Sequence, residues 1–385
     1  MKKKVVFIEK SIPDYRSKLF VLLHDYLKEE GIDFHLVAGQ MSGKEHLNEV
    51  FPEGDWVTKI NNLYVYKDIH YAKVGNALKN TDMVILHPMN SALIMYKLLI
   101  SRYLFSGPKL GFFGHGGNMN AGYKEGQLPL KEKMKNQIAK LPDWWFPYTD
   151  MSRRRILYDL KLGYPENQIT VVNNAVDTTA FQDGVSAITE DQKQAVRKEL
   201  NIPKDAPVGL FCGRFLEIKI TYLAKALQLI KEAIPNFHMI IIGKGSEGDD
   251  LVEFANNTDW AHAIGAKYHD ERYPFFATAD ILINPGYVGL AVLDAFASGL
   301  PLYSTECGNQ SPEIEYLRNG ENGYLTDNSP EALAEKIIDT IQQPDVLKRL
   351  SENALKTAQT TTMEATARNF VTGITQCLGV TKPAT

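Results

Sequence analysis

The chemistry in this 385-residue chain gathers where glycines close an apolar run and charged side chains follow. In "FCGRFLEIK" a strand is expected to end at Gly213 and a helix to begin shortly after Lys219, which sets Arg214 and Lys219 beside a helix start. Bare amides, the positive end of a helix dipole and two cations suit an anion of the diphosphate kind. The plainer alternative is two solvated surface cations. "IIIGKGSEG" again puts glycines, Gly243 first, at a strand end, with Ser246 expected as an N-cap; alone, that pattern signals only a tight turn.

The stretch "NPGYVGLAVLDAFASG" is the most suggestive. Gly286 and Gly289 let backbone approach a ligand, with Tyr287, Val288 and Leu290 completing the loop, and a helix from about Leu290 offers free amides. Asp294 in that helix suits a carboxylate accepting both hydroxyls of a ribose, or else a residue answering the helix dipole. In "GFFGHGGNMN", His115 stands between glycines at a strand end with Asn118 just beyond; it reads as a ligand-facing side chain or as a turn histidine. "IPDYRSKLF" sets Tyr15 and Arg16 at the first strand-to-helix corner, where Arg16 either grips an acceptor or caps the lobe.

Other chemistries find little support. The chain has no Asp-x-Asp ahead of a strand end, no His-Glu-x-x-His, and no Gly-x-Ser-x-Gly elbow. Its first strand is not followed by Gly-x-Gly-x-x-Gly, which argues against a dehydrogenase. Cys212, Cys307 and Cys377 fit no zinc spacing, so no metal is expected and a reduced, cytoplasmic setting is. A formal net charge of -4 gives no overall basic field for nucleic acid.

The elements that must hold these residues alternate. "KVVFIE", the helical "RSKLFVLLHDYLKEEG", "DFHLVAG", "DMVILHP", a helix around Ala92 to Tyr103 and "KLGFFGHG" make the first half. "VGLFCGR", "TYLAKALQLIKEAIP", "HMIIIGKG", "AHAIGA", "YPFFATAD" and "ILINPG" make the second. Strand, helix, strand in repetition implies parallel sheets with right-handed crossovers. The fold class is therefore α/β: two Rossmann-like lobes whose strand ends face a central cleft. The lobes are expected at 1–182 and 183–364, with 365–385 packing back on the first; a polar helix at Glu190 to Leu200 and "NIPKDAP" open the second, and the tail from Gln359 to Gly379 is helical in pattern.

"MKKKVVFIEK" has only four apolar residues before Glu9 and reads as a buried strand rather than a leader. The longest apolar region is interrupted by His87, Asn90, Lys97 and Arg102, so no spanning helix is expected. It reads as a half-buried helix or as one lying on a membrane surface with Leu93, Ile94, Leu98 and Tyr103 on view; Lys2 to Lys4 would add weak attraction there.

In this order, "GRFLEIK", "IIIGKG", "AIGAKYHDERYPFFATADILINPG", "GLAVLDAFASGLP" and "NGENGYL" resemble the retaining nucleotide-sugar glycosyltransferases of family 4, of GT-B fold. "IPDYRSKLF", "GHGGNMN" and "VVNNAVDTTAF" resemble the landmarks of one subgroup, and the likeness covers nearly the whole chain. It implies that Arg214 and Lys219 hold a donor diphosphate and that residues Gly286 to Leu290 offer amides to the sugar and phosphate. It also implies that Asp294 meets the ribose, Ala266 borders the base pocket, and His115 lies against the donor sugar. The family's first glutamate falls on Gly286, its second is Asp294, and Ile220 stands where glycine is usual. The implied activity is transfer of a sugar from a UDP- or GDP-linked donor to the hydroxyl of a glycan or lipid-linked acceptor, with no cofactor. Alternatives are a degenerate nucleotide-sugar-binding subunit and a sugar-nucleotide epimerase of the same fold.

Overall fold

The computed structural model describes residues 2–40, 50–116, 130–160, 163–245, 248–308 and 310–380. The chain divides into two compact units, Met1–Asn174 with Met363–Thr385, and Ala175–Thr362. The expected boundary at 182/183 would cut the helix Thr178–Ser186. That helix belongs wholly to the second unit: Asp177 caps it by accepting from the Ala180 amide at 3.1 Å, and the Thr178 hydroxyl bonds the Thr361 carbonyl at 3.2 Å.

The first unit is built on β1 (Lys4–Glu9), β2 (Asp33–Gln40), β3 (Val57–Tyr66), β4 (Ile69–Ala72), β5 (Met83–Leu86), β6 (Lys109–Gly114) and β7 (Trp144–Pro147). The sheet order is β4-β3-β2-β1-β5-β6-β7. Every neighbouring pair is parallel except β3 and β4, a hairpin that the apolar runs did not announce. Its strands are half exposed, so they lack the continuous apolar signature of a strand buried on both faces.

β1 has that signature. Val5 and Phe7 enter one core with Phe20, Leu23 and Phe370, while Val6 and Ile8 enter another with Met95, Leu98 and Trp145. This is the alternation a strand between two helical layers requires. The expected helical tail is two helices, Pro344–Thr360 and Met363–Leu378, and the second packs on the first unit. Phe370 meets the rings of Phe113 and Phe146 at 5.0 Å each, and the Asn369 amide donates to the Val172 carbonyl at 3.1 Å.

The second unit holds β8 (Val208–Arg214), β9 (His238–Lys244), β10 (Ala261–Ala263), β11 (Ile281–Ile283), β12 (Leu302–Thr305) and β13 (Gly323–Thr326). The order β10-β9-β8-β11-β12-β13 is parallel throughout. The polar helix Glu190–Glu199 opens on a capping box, in which Thr189 and Gln192 each bond the other's backbone amide. The strand order reverses between β8 and β11, and the carboxyl ends of strands at such a point are where open α/β sheets take ligands.

Candidate functional site

β8 and β9 pair in register through Arg214 opposite Lys244, so two exposed cations stand side by side at the carboxyl edge. Among the described residues neither makes an ion pair, and Lys244 rests over the Tyr268 ring at 5.5 Å. The strand therefore continues past Gly213, and the helix Glu217–Ala233 begins before Lys219 rather than after it. Pairing with β9 carries the strand on, and an acidic residue type at the first helical position favours an early start. Lys219 thus falls in the first turn; its side chain is outside the described residues, as are Ser246 and Asn118.

The glycines of "GKGSEG" have a steric reason within the fold. A Cβ on Gly243 would lie 2.1 Å from the Gly213 carbonyl oxygen, and one on Gly245 2.3 Å from that of Phe215. Gly213 is different, since an added Cβ would meet nothing nearer than the Phe211 ring at 3.8 Å. Ala266 lies half-buried in the loop after β10.

The loop after β11 is held from below. Gly286 is buried with φ of 72°, and Gly289 has φ of 67°. The Gly286 amide donates to Thr305 Oγ1 at 3.0 Å, that of Val288 to Gln310 Oε1 at 3.4 Å, and that of Gly289 to Ser311 Oγ at 3.0 Å. Gln310 Nε2 returns bonds to the Gly286 and Thr305 carbonyls at 2.7 and 2.8 Å. These three amides, expected to serve a ligand, are spent on the protein itself, because Thr305 at the end of β12 and then Gln310 and Ser311 supply acceptors. Among the described residues the amides of Tyr287, Leu290 and Ala291 have no such acceptor. Glu313 is buried, and burial, then the neighbouring Glu313, lifts the Tyr287 phenol.

Asp294 lies within the helix Ala291–Ala297 and is mostly buried. Arg272 Nη1 donates to its Oδ2 at 2.7 Å. The guanidinium lies over the rings of Phe181 and Phe276, 4.8 and 5.9 Å from their centres. It also adjoins the Cys212 thiol, whose pKa burial pushes up to about 11. Burial opposes the charge of Arg272, but Asp294 and Cys212 outweigh it and the guanidinium stays protonated. Sequence reasoning missed this residue; its only signal was a cation at the mouth of the aromatic run "RYPFFATAD".

The first unit gathers its own polar cluster at the carboxyl ends of β1, β5, β6 and β7. Glu9, the last residue of β1, accepts from His87 Nε2 at 3.1 Å, and Arg16 Nη1 stands 3.6 Å from the same oxygen. Burial would lift the Glu9 carboxyl, but His87 and Arg16 together hold it below the usual range. Arg16 is buried, and Tyr148 and Glu9 stabilise its charge against desolvation. His115 packs on Tyr148 with ring centres 4.3 Å apart, and its Nδ1 is buried with no hydrogen-bond partner among the described residues. Burial, then the nearby His87 and Arg16, push its pKa down to about 4, so the ring is neutral at pH 7. Tyr15 is exposed beside this cluster. Glu9, His87 and Tyr148 carried no motif in the sequence.

The helix Leu93–Leu104 differs from its expected display. Ile94 and Leu98 are buried, and the apolar side chains on view are Ile100, Tyr103, Leu104 and, just past the end, Phe105. Among the described residues no helix is long and apolar enough to cross a membrane.

Residues 206–343 match the family model described as "Glycosyl transferases group 1". That match lies wholly within the second unit. A lipopolysaccharide core biosynthesis glycosyltransferase, LpsE of Rhizobium meliloti, is 28% identical over 169 residues, 42% of this chain and 47% of that protein. The putative glycosyltransferase EpsD of Bacillus subtilis is 25% identical over 381 residues, 93% of this chain and 92% of the other. The chain spans about half the length of the first curated relatives it matches. Among solved structures, a glycosyltransferase from Rickettsia africae superposes with a TM-score of 0.71 at 16% identity, covering 98% of this chain and 99% of that one. At such identity the likeness is one of fold, the two-domain GT-B arrangement of parallel sheets. The group 1 match falls on the unit that holds Arg214, Lys244, the Gly286 loop and the Arg272–Asp294 pair.

Proposed function

We propose that the chain is a retaining glycosyltransferase that moves a sugar from a nucleoside diphosphate donor to an acceptor hydroxyl in glycan or polysaccharide assembly. The observation that carries this reading is the pair of exposed cations, Arg214 and Lys244, at the carboxyl ends of two adjoining parallel strands, next to the start of the 17-residue helix Glu217–Ala233. A diphosphate there would meet two positive charges and about half an elementary charge from the helix dipole. Lys219 in the first turn would add a third cation. As the glycosidic bond breaks, negative charge grows on the departing diphosphate, and fixed cations already in place stabilise it without reorganisation. Charge neutralisation by side chains makes a metal ion unnecessary for this step. The acceptor oxygen attacks on the face the diphosphate leaves and its proton passes to the leaving oxygen, so retention follows without a protein nucleophile.

Asp294 is read as the acceptor for the donor's ribose hydroxyls, Ala266 as a border of the base, and Tyr287, Leu290 and Ala291 as the loop amides left for the sugar or phosphate. His115, neutral and with a ring nitrogen that has no partner among the described residues, suits a hydrogen bond to a sugar hydroxyl better than the role of a cation or a strong base. Tyr15 and Arg16 belong to the acceptor side, with Arg16 acting through the cluster it shares with Glu9 and His87. A glycan or lipid-linked acceptor follows from the resemblance, and the exposed Ile100–Phe105 stretch is where a lipid surface would be met at the cytoplasmic face.

The test is donor turnover by the purified chain against a panel of UDP- and GDP-sugars, with released diphosphate as readout. Arg214→Ala should cut turnover by about 10²- to 10³-fold, the loss typical of one preorganised charge-stabilising group, and leave the urea midpoint unchanged because the side chain is exposed. Full activity in that variant contradicts the reading. Binding without turnover would mark a degenerate subunit, and an altered sugar nucleotide formed without acceptor would mark an epimerase.

A further inference from the structure

Arg272 has more donors than the structure uses. One Nη1 bond goes to Asp294, the Cys212 thiol lies alongside, and Nε is buried with no acceptor among the described residues. Two phenylalanine faces, Phe181 and Phe276, fix the plane of the guanidinium, and the guanidinium in turn fixes one oxygen of the carboxylate. Aromatic stacking and a charge-assisted bond make a rigid unit of a kind that lysine would not reproduce.

The position of Asp294 poses an electrostatic problem that this unit solves. A bare carboxylate close to a diphosphate site repels the ligand it is meant to help hold, and in a mostly buried setting that repulsion is poorly screened. Paired with Arg272, Asp294 contributes almost no net charge, yet its second oxygen, Oδ1, still accepts hydrogen bonds. Aspartate has one fewer rotatable bond than glutamate, so clamping Oδ2 leaves Oδ1 little freedom.

We propose that Arg272 is a positioning residue for the donor nucleoside: it clamps Asp294 Oδ2 so that Oδ1 accepts from the vicinal hydroxyls of the ribose, and it cancels the charge that would otherwise repel the diphosphate. This rests on the reading of Asp294 given under Proposed function and goes beyond it by naming the residue that makes an aspartate workable there.

Calorimetric titration of the whole chain with UDP or GDP, whichever binds, and with the matching 2′,3′-dideoxynucleoside diphosphate tests the proposal. In Arg272→Met both nucleotides should bind more weakly, because the uncancelled Asp294 charge repels either diphosphate, but the ribonucleotide should lose about tenfold more than the dideoxy analogue, close to 1.4 kcal/mol. Asp294→Asn should lose the same discrimination, and the double variant should be no worse than Asp294→Asn alone, as expected of residues acting as one unit. Equal weakening toward both nucleotides, or none, overturns the proposal, because a purely structural pair would not sense ribose hydroxyls. If Arg272→Met does not fold, Arg272→Lys is judged by the same criterion. Failure of the unaltered chain to bind either ribonucleotide counts instead against the donor reading on which the proposal rests.

Discussion

Gly286 explains an absence. Its backbone lies in the left-handed region with φ of 72°, it is buried, and both its amide and its carbonyl are bonded to Thr305 and Gln310. A residue with a Cβ is strained in that conformation, and a glutamate would also have to bury a charge. The acid that the resemblance leads one to expect at this position is therefore incompatible with the loop as it is built, and the Gln310 side chain occupies the polar centre of the turn instead. Gly286→Ala should lower the free energy of unfolding by about 1–2 kcal/mol, seen as a fall in urea midpoint with an unchanged slope. A variant as stable as the parent would show that the left-handed conformation is not required. The residues flagged from type and spacing stood at a strand end or in the turn or helix that follows it. Arg272, Lys244, Glu9 and His87 escaped because each acts through a partner brought close only by strand order.

Strands and helices were easier to read than the bonds between them. β8 was legible to within one residue of its end, since a strand buried on both faces needs an unbroken apolar run, whereas the half-exposed β3–β4 hairpin left no such mark. The early start of the helix Glu217–Ala233 was missed although the acidic residue type at its first position favours it, while the extra residue of β8 comes from pairing with β9. The same neighbouring strands carry a consequence for pH. His238 Nδ1 lies 3.2 Å from His262 Nε2, and the rings stack 5.5 Å apart, with Lys231, Arg197 and Asp259 as the charges facing them. Burial, then Lys231 and His262, push His238 down to about 4, and burial lowers His262 as well. Native histidines of depressed pKa resist protons that the unfolded chain accepts, so stability is complete above about pH 6.5 and drains away as pH falls toward 4. Between pH 7 and pH 5 the loss should be about 1–2 kcal/mol by urea titration, and His238→Gln should flatten that slope. Identical slopes in parent and variant would remove the histidine pair as the cause.

Two α/β units emerged from the alternation of apolar runs alone, but their limits did not. The helix Thr178–Ser186 looks from its sequence like the end of the first unit, yet its hydrogen bonds run to residues 358 and 361 of the second. Such long-range ties have no local signature. The helix Met363–Leu378 is the reverse case, since its apolar face signals burial without saying against what; Phe370 answers by meeting Phe7, Phe113 and Phe146. The group 1 match and the cations at the β8 and β9 ends coincide in one unit, and the account stands on that coincidence. A structure of the chain bound to UDP or GDP is its most direct test. The pyrophosphate oxygens should lie within about 3.2 Å of the Arg214 guanidinium, at hydrogen-bond range, and beside the first turn of Glu217–Ala233; a pyrophosphate bound away from Arg214 and Lys244, or in the first unit against His115, would contradict it.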